Sequence, residues 1–181
     1  MEKIIKELIP YAIILVVVVI IRTFIITPVT VSGSSMSPNL KNGELLLLSK
    51  ISYKIKNIER FDVVVIDESD EPIIKRIIGL PGENVSYINN KLYINNEEVE
   101  DKYGSGVTKD FDLEDICLVT NLNNDEYECN YDKIPEDYYL VLGDNRSISK
   151  DSRRIGLISK DEIVGKTIIR FWPLNKISLV K

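Results

Sequence analysis

An uninterrupted apolar run near the amino terminus is the feature that most constrains how this chain folds. Residues 8–21 read LIPYAIILVVVVII without a charged side chain, and after Arg22 and Thr23 the apolar residues resume with FII. As a helix, residues 8–26 would be about 28 Å long, enough to cross the hydrocarbon core of a bilayer. Arg22 would lie near one end, where its long side chain reaches the interface. The sequence therefore predicts one N-terminal transmembrane helix, over residues 8–27.

Two other interpretations of this run fit the residues less well. A cleaved signal peptide would be followed by a small-residue cleavage site, but the next residues, RTFIITPVTV, contain no A-x-A-like site. A buried core helix is the other alternative, although four consecutive valines flanked by isoleucines suit a membrane better than a small globular core. Lys3 and Lys6 precede the run and Arg22 follows it, so the flanking charges only slightly favour a cytoplasmic position for residues 1–7.

The charge distribution argues against a nucleic-acid-binding protein. The 181 residues carry a net charge of −5, and the chain lacks the basic footprint that displaces counterions from phosphate. Residues 101–137 hold eleven acidic residues and three lysines, so this segment carries −8 and the remainder +3. A mildly basic remainder suits an anionic membrane surface. The alternative is an acidic, solvated insertion beside an ordinary surface.

The chain contains no histidine. A Ser-His-Asp or Cys-His arrangement is therefore excluded, as is a histidine-ligated zinc site, and we expect neither a metal nor a cofactor. A hydrolase with a serine nucleophile would need another base, for which lysine is the leading candidate. The two cysteines, Cys117 and Cys129, make a poor metal site, and the sequence leaves open whether they form a disulfide.

After the apolar run, short segments rich in β-branched and aromatic residues indicate a mainly β, antiparallel domain over residues 28–181. Asn, Gly, Pro and Asp separate these segments, and YINNKLYI predicts a hairpin with Asn89 and Asn90 at its turn. The pattern is poor over about residues 99–137, which we interpret as a loop-rich variable insertion or cap. The predicted strands read ELLLLSKISYKI, FDVVVIDE, PIIKRIIGL, NVSYI, KLYIN, DYYLVLGD and GKTIIRFWPL.

Three further patches carry candidate chemistry, and each has an alternative interpretation. SGSSMSPNL, residues 32–40, is either a serine-rich linker or a tight turn that presents a nucleophile. IIKRIIGLPGE places Lys75 and Arg76 on opposite faces of a strand, so it is either a solvated edge strand or one that buries a cation. Since a desolvated lysine has a lowered pKa and arginine does not deprotonate usefully, Lys75 is the candidate base. GDNRSISKDSRR, residues 143–154, is either a surface loop or an ordered network of ion pairs.

In their order along the chain, GSSMSPNL, KRIIGLPGE and GDNRSISKDSR resemble the successive motifs of the bacterial type I signal peptidases. The family patterns run approximately S-M-x-P-T-L, K-R-[VI]-x-[GA]-x-P-G-[DE] and G-D-N-R-x-x-S-x-D-S-R, and the third matches at every defined position. FWPLNKI near the C-terminus is similar to the family's ending. The resemblance extends from the apolar run to the end of the chain and is weakest over about residues 99–137. It implies an antiparallel β-sheet catalytic domain with a small variable cap, preceded by one transmembrane helix.

The resemblance assigns roles to three side chains. Ser35 is the expected nucleophile, Lys75 the general base, and Ser149 the residue that hydrogen-bonds the Lys75 amine and holds it in line. The backbone N–H of Ser35 would contribute to the oxyanion hole. Some family members add a serine hydroxyl two residues before the nucleophile, where this chain has Gly33. Asn39 replaces the usual threonine, which affects only a local hydrogen bond.

Eight further positions are matched to structural or substrate-binding roles in the family. An ion-pair scaffold is expected from Asp144, Arg146, Asp151 and Arg153. Shallow apolar pockets for small substrate residues at P1 and P3 are expected from Val31, Met36, Leu40 and Ile74.

The implied function is a membrane-bound serine endopeptidase that removes N-terminal signal peptides from exported preproteins after A-x-A-like sites. Its partners would be those preproteins and the phospholipid membrane. The catalytic domain would lie on the extracytoplasmic side, because its substrates arrive there. One alternative is a related Ser-Lys peptidase dedicated to a few surface or pilin-like proteins, and another is a catalytically idle assembly or binding protein on the same fold. A self-cleaving Ser-Lys repressor fits poorly, since no DNA-binding segment precedes the motifs.

Overall fold

The computed structural model describes residues 2–68, 71–123 and 132–180. The α-helices of these residues are α1 Glu2–Phe24, α2 Ser52–Ile55, α3 Leu113–Asn123 and α4 Ser152–Ile155. The strands are β1 Ile26–Thr30, β2 Leu45–Ser49, β3 Val63–Ile66, β4 Ile73–Gly79, β5 Val85–Ile88, β6 Lys91–Ile94, β7 Glu97–Val99, β8 Tyr138–Leu142, β9 Ile158–Ser159, β10 Ile163–Trp172 and β11 Ser178–Leu179. Short 3₁₀ turns occupy Lys160–Glu162 and Leu174–Lys176.

The larger of the two sheets has eight strands in the order β1-β2-β10-β3-β4-β8-β9, with β11 paired to β10. All of these strand pairs are antiparallel. β5, β6 and β7 form a second, smaller antiparallel sheet. The prediction of a mainly antiparallel β domain is confirmed.

The centre of the larger sheet explains why its sequence is so apolar. β3 reads VVVI and all four of its residues are buried, because β4 and β10 cover both of its edges and side chains pack on both of its faces. β4 lies between β3 and β8. Lys75 and Arg76 therefore occupy a central strand, on opposite faces, and the alternative of a solvated edge strand is wrong.

The smaller sheet begins with the predicted hairpin. Asn89 and Asn90 join β5 to β6 with φ angles of 52° and 64°, the left-handed conformation that asparagine tolerates better than most residues. Tyr87 of β5 exchanges backbone hydrogen bonds with Phe111, which attaches the sheet to the segment before α3. Side chains of β5, β6, α3 and β8 then form a shared core cluster.

α3 lies inside the segment for which a loop-rich insertion was expected. Its buried face consists of Leu113, Ile116, Cys117 and Thr120, which follow the i, i+3, i+4, i+7 spacing of an amphipathic helix. The carboxylate of Asp112 accepts a hydrogen bond from a backbone N–H of the first turn, as a capping residue does. That residues 99–137 form a variable cap remains a prediction.

Cys117 is disulfide-bonded. The sequence had left open whether the cysteines of this chain form a disulfide. Its possible partner within the chain, Cys129, lies outside the described residues.

The N-terminal helix α1 projects apolar side chains into solvent. Residues 8–19 are all exposed, and they include ten of the large exposed apolar side chains of the described residues. Within the described parts of the chain, the structure contains no helix that is both long enough and apolar enough to cross a membrane. The predicted transmembrane helix therefore stays a prediction.

Candidate active site

Ser35 lies in a turn that apolar neighbours anchor in the protein core. Met36 and Leu40 are 1% and 4% exposed and pack in one cluster with side chains of β2 and β3. The N–H of Asn145 donates to the Ser35 carbonyl oxygen at 2.9 Å, which ties the turn to the loop after β8. These contacts fix the position of Ser35, so the interpretation of this segment as an unstructured linker is wrong.

Lys75 extends from β4 to the same point. Its Nζ lies 3.2 Å from Ser35 Oγ, within hydrogen-bonding distance, and donates to the carbonyl oxygen of Ile74 at 3.1 Å. The Lys75 residue is 3% exposed. No carboxylate of the described residues forms an ion pair with it. An amine in contact with a serine hydroxyl and without a counter-ion is the arrangement that a lysine base requires.

Burial lowers the pKa of Lys75 below its ordinary value of 10.5, because an ammonium group loses its hydration there. The negative charges of Asp151 and Glu68 act in the opposite direction, and the positive charge of Lys150 adds to the lowering. Burial outweighs the two carboxylates, so the net shift of the pKa favours the neutral amine. A neutral amine is able to accept the serine proton, which an ammonium group is not.

Ser149 is brought close to Ser35 by Gly143. A Cβ built on Gly143 would lie 2.2 Å from Ser149 Oγ and 2.6 Å from the Ser35 carbonyl oxygen, so only glycine fits between them. The hydrogen bond expected from Ser149 to the Lys75 amine is absent from the described contacts. Ser149 Oγ is buried and has no hydrogen-bond partner among the described residues, because the amine is turned toward Ser35 and the Ile74 carbonyl.

Gly33 occupies the place where some family members have a serine. Its φ is +77°, its N–H donates to Asn42 Oδ1 at 2.9 Å, and a Cβ there would meet no atom within 4 Å. A side chain at position 33 would be disfavoured by the positive φ angle of the backbone and not by contact with neighbouring atoms.

The other cation of β4, Arg76, is fully paired. Its Nε and Nη2 donate to the two carboxylate oxygens of Asp144 at 2.7 and 2.8 Å, and its Nη1 donates to the Phe61 carbonyl oxygen at 2.8 Å. The guanidinium lies 3.8 Å from the centroid of the Tyr103 ring. Asn39 Nδ2 also donates to Asp144, at 2.9 Å, so the residue that replaces threonine retains a local hydrogen bond.

Two more ion pairs surround this one. Arg146 pairs with Asp101, and the Tyr87 hydroxyl contacts both of them. Burial alone would raise the pKa of Asp101, but the Arg146 charge and the hydrogen bonds outweigh it and the pKa is lowered. Arg153 binds Asp151 through Nε and Nη2, both at 2.8 Å. The four predicted scaffold residues thus take part in three ion pairs, Arg76–Asp144, Arg146–Asp101 and Arg153–Asp151, which are buried or partly buried and fix the loop after β8.

The four predicted pocket residues lie together but face inward. Val31, Met36, Leu40 and Ile74 belong to one core cluster and none is more than 7% exposed. Met36 and Ile74 directly neighbour Ser35 and Lys75 along the chain, and the contact of all four residues with substrate remains a prediction.

Comparisons with known proteins show the family to which the chain belongs. Residues 4–172 match the family described as signal peptidase, peptidase S26. The chain belongs to this family. It is 38% identical to signal peptidase IB of Staphylococcus aureus (strain COL) over 97% of its own length and 93% of the relative's. It is 36% identical to signal peptidase I of Bacillus caldolyticus, with 92% and 91% of the two chains covered.

A solved structure supports the fold as well. The crystal structure of a signal peptidase I from Enterococcus faecalis V583 superposes with a TM-score of 0.51 at 33% identity, covering 62% of this chain and 97% of that one. The resemblance predicted from the three motifs is therefore confirmed. Family membership makes the protein an enzyme, a peptidase that cleaves signal peptides from preproteins.

Sequence reasoning missed three residues that build the site. Arg76 was set aside as unreactive, although it is the partner of Asp144. Asp101 lies far from the motifs along the chain, and no sequence pattern identified it as the partner of Arg146. Gly143 was seen only as the first residue of a motif. Its position directly after a buried strand is the signal that could have marked a close backbone approach.

Proposed function

We propose that the protein is a serine endopeptidase that uses Ser35 as nucleophile and Lys75 as general base. The observation that carries this proposal is the 3.2 Å distance between Lys75 Nζ and Ser35 Oγ, with the amine buried and its pKa lowered. The neutral amine accepts the Ser35 proton as Oγ attacks the scissile carbonyl carbon. The resulting ammonium then protonates the leaving amine, and the acyl-enzyme forms.

Lys75 acts a second time in deacylation. Once the amine product has left, Lys75 is neutral again and removes a proton from the attacking water, which releases the acyl group and restores Ser35. No histidine is required in either half of the reaction, in keeping with its absence from the sequence.

We assign the oxyanion hole in part to the backbone N–H of Ser35. This N–H donates to no other described residue, so it is available to the developing negative charge. Gly33 supplies no side-chain donor, and a second donor is left to backbone or water.

Ser149 is proposed as the positioning residue for Lys75. The Ser149 residue is 3% exposed, and its Oγ has no hydrogen-bond partner among the described residues. A buried hydroxyl that is able to form a further hydrogen bond therefore lies beside the site. Asp144, Arg146, Asp151 and Arg153 are proposed to hold this loop in place without taking part in proton transfer.

For specificity, we propose cleavage after A-x-A-like sites. Val31, Met36, Leu40 and Ile74 belong to one apolar core cluster, and Met36 and Ile74 directly neighbour Ser35 and Lys75 along the chain. An apolar lining at these positions would suit small residues at P1 and P3.

We further propose that the exposed apolar side chains of α1 attach the enzyme to the membrane, with residues 1–7 in the cytoplasm and residues 28–181 outside it. The proposal is supported by the continuous apolar run and by the exposure of residues 8–19. Deletion of residues 1–24 should move the enzyme from the membrane pellet to the supernatant, and retention in the pellet would contradict this role of α1.

The test of the dyad is cleavage of a purified preprotein in detergent, with N-terminal sequencing of the product. Ser35→Ala and Lys75→Ala should each abolish processing while the melting temperature stays close to wild type. Ser34→Ala and Ser37→Ala are matched controls in the same turn and should remain active. Normal processing by either dyad variant would contradict the proposal, and a panel of preproteins would separate a general from a dedicated peptidase.

A further inference from the structure

The turn that holds Ser35 is closed at its base by contacts that the mechanism above does not use. At its two ends, the N–H of Val31 donates to the Glu44 carbonyl oxygen at 2.8 Å. Within the turn, the N–H of Leu40 donates to the Met36 carbonyl oxygen at 2.9 Å. A displacement of the second half of the turn would therefore be transmitted through residues 36–40 to Ser35.

The Glu44 side chain links the end of the turn to β10. Glu44 is 4% exposed, and its Oε2 accepts hydrogen bonds from the Lys41 N–H at 3.0 Å and from Arg170 Nη1 at 3.1 Å. Burial raises the pKa of the Glu44 carboxyl, but the Lys41 N–H and the charges of Arg170 and Lys176 outweigh it. The net pKa lies below the ordinary value of 4.5, so Glu44 is a carboxylate at neutral pH.

Arg170 joins the turn to the C-terminal segment, residues 174–180. Its Nη1 donates to the Asn39 carbonyl oxygen at 3.2 Å as well as to Glu44. Its Nε donates to the Lys176 carbonyl oxygen and its Nη2 to Ser178 Oγ, both at 3.0 Å. All three guanidinium nitrogens are thus engaged, and the planar group is fixed between the turn and the C-terminal segment.

Apolar packing alone does not join these two parts of the chain tightly. A small cavity of about 180 Å³ lies between them, lined by Asn39 and Leu40 of the turn and by Ser178, Leu179 and Val180 of the C-terminal segment. Val180 packs against the core cluster that contains Leu40, but the space beside it is not filled. The polar contacts of Arg170 therefore carry much of the connection.

On its other side, the turn meets the groups that react. The N–H of Asn145 donates to the Ser35 carbonyl oxygen at 2.9 Å, and Ser35 Oγ lies 3.2 Å from Lys75 Nζ. Proton transfer requires this last distance to be kept, and a displacement of about 1 Å can cost roughly 10²-fold in rate. The turn is thus held between Asn145 on the side of the reaction and Arg170 on the side of the C-terminal segment.

We propose that Arg170 and Glu44 are positioning residues for Ser35. They act through the turn, by fixing Asn39 and the end of the turn against the C-terminal segment, while proton transfer stays with Ser35 and Lys75. This inference rests on the proposed function, because it takes Ser35 as the nucleophile.

The test removes both charges of the pair at once, so that no buried charge is left unpaired. In the double variant Arg170→Met with Glu44→Gln, the glutamine can still accept from the Lys41 N–H, but the link to Asn39 and the C-terminal segment is lost. We expect kcat for a purified preprotein to fall by about tenfold or more. KM should change by less than about threefold, because substrate contacts are not removed.

The matched control is the double variant Arg60→Met with Glu83→Gln. The two arginine side chains are equally exposed, 20% for Arg60 and 19% for Arg170. Arg60 also donates to a carbonyl oxygen, that of Ile78, and Glu83 also accepts from a backbone N–H three residues earlier, that of Leu80. This pair makes the same kinds of contact away from the Ser35 turn. It should lower the melting temperature but change kcat by less than about twofold, and an equal fall of kcat in both double variants would overturn the proposal.

A milder variant, Arg170→Lys, keeps the charge beside Glu44 and should therefore fold. Its ammonium group cannot reproduce the planar fork that reaches Asn39, Lys176 and Ser178 together. We expect the melting temperature to stay close to that of wild type while kcat falls by about threefold or more. Wild-type kcat in Arg170→Lys would contradict positioning by the fork, even if the double variant did not fold.

Ser35→Ala and Lys75→Ala are measured beside these variants to separate this inference from the proposed function. If either retained wild-type processing, the proposed function would fail and the inference with it. If both were inactive while the double variant of Arg170 and Glu44 kept the wild-type kcat, the positioning role alone would be wrong.

Discussion

The two faces of β4 place the neighbouring cations Lys75 and Arg76 in different surroundings. Lys75 is buried beside a serine hydroxyl and a single carbonyl oxygen, with no ion pair to a described carboxylate. Arg76 is buried beside a carboxylate that it binds through two nitrogens, with a carbonyl oxygen and an aromatic ring completing its surroundings. Burial favours loss of the proton where no counter-ion is present and retention of the charge where one is. The comparison teaches that the pairing of a buried cation, rather than its burial, distinguishes a reactive from a structural role.

The largest effect that separates the two faces is on catalysis. Lys75→Met should reduce kcat by roughly 10²–10⁴-fold or more, since the general base is lost. It should leave the fold intact, because the neutral amine resembles an apolar side chain in the buried site. Activity is measured by preprotein cleavage, and Lys91→Met is the control, because Lys91 is an exposed lysine of β6 that pairs with Glu98. Equal activity of the two variants would remove Lys75 from the mechanism.

The same variant has a signature in stability. The pKa of Lys75 is lower in the folded than in the unfolded chain, so between these two values the unfolded state binds the additional proton. The free energy of unfolding of the wild-type protein should therefore include a contribution that rises with pH through this interval, up to about 10.5. Lys75→Met should lack that rise and be at least as stable as wild type at neutral pH. Urea unfolding of both proteins at several pH values measures the free energy of unfolding and its dependence on pH.

On the other face, the expected effect is on folding. Arg76→Met leaves the Asp144 carboxylate buried and unpaired, which should cost about 3–5 kcal/mol in the free energy of unfolding. Lys91→Met breaks an exposed pair and should cost no more than about 1 kcal/mol. Thermal or urea unfolding gives both values. A loss for Arg76→Met as small as that of the control would contradict a structural role for the buried pair.

A smaller effect is expected where the two faces meet the loop after β8. Gly143→Ala places a methyl group against Ser149 and the Ser35 carbonyl, and overpacking of this kind costs about 1–3 kcal/mol. Displacement of Ser35 should also lower kcat. Gly82→Ala is the control, because its φ of +79° strains the backbone while a Cβ there meets nothing within 4 Å. Loss of stability without loss of activity in Gly143→Ala would show that the close contact does not position Ser35.

The smallest expected effect is a change in the pKa of Lys75. Burial sets the direction of the Lys75 pKa, and the Glu68 carboxylate partly opposes it. Glu68→Gln should lower the pKa further, moving the acidic limb of the kcat/KM profile to lower pH. Lys150, which pairs with Glu68 at 2.7 Å, acts with the opposite sign, so Lys150→Gln should move the limb to higher pH. Shifts in the same direction for both variants would contradict this electrostatic account.

How far the sequence leads depends on the distance over which each interaction acts. Local patterns were enough for seven of the eleven strands (β2, β3, β4, β5, β6, β8 and β10), for the Asn89 and Asn90 turn and for the motifs that carry Ser35 and Lys75, because period, turn chemistry and motif order are written along the chain. They missed β1, β7, β9 and β11, and the run predicted as one strand over residues 44–55 ends in the short helix α2. The pairing of Arg146 with Asp101 depends on how distant segments pack, and no local pattern encodes it. α3 was missed for another reason, since its short apolar face is diluted by acidic residues that serve its first turn.

The most direct test of the central claim is the titration of the Lys75 amine itself. NMR of protein labelled at the lysine side chains, in the Ser35→Ala variant to prevent turnover, follows this amine, and Lys75→Met assigns its signal. We predict a pKa below 10.5 that matches the acidic limb of kcat/KM in the wild-type enzyme. A pKa at or above 10.5 would show that Lys75 is charged at working pH and would contradict its role as the base.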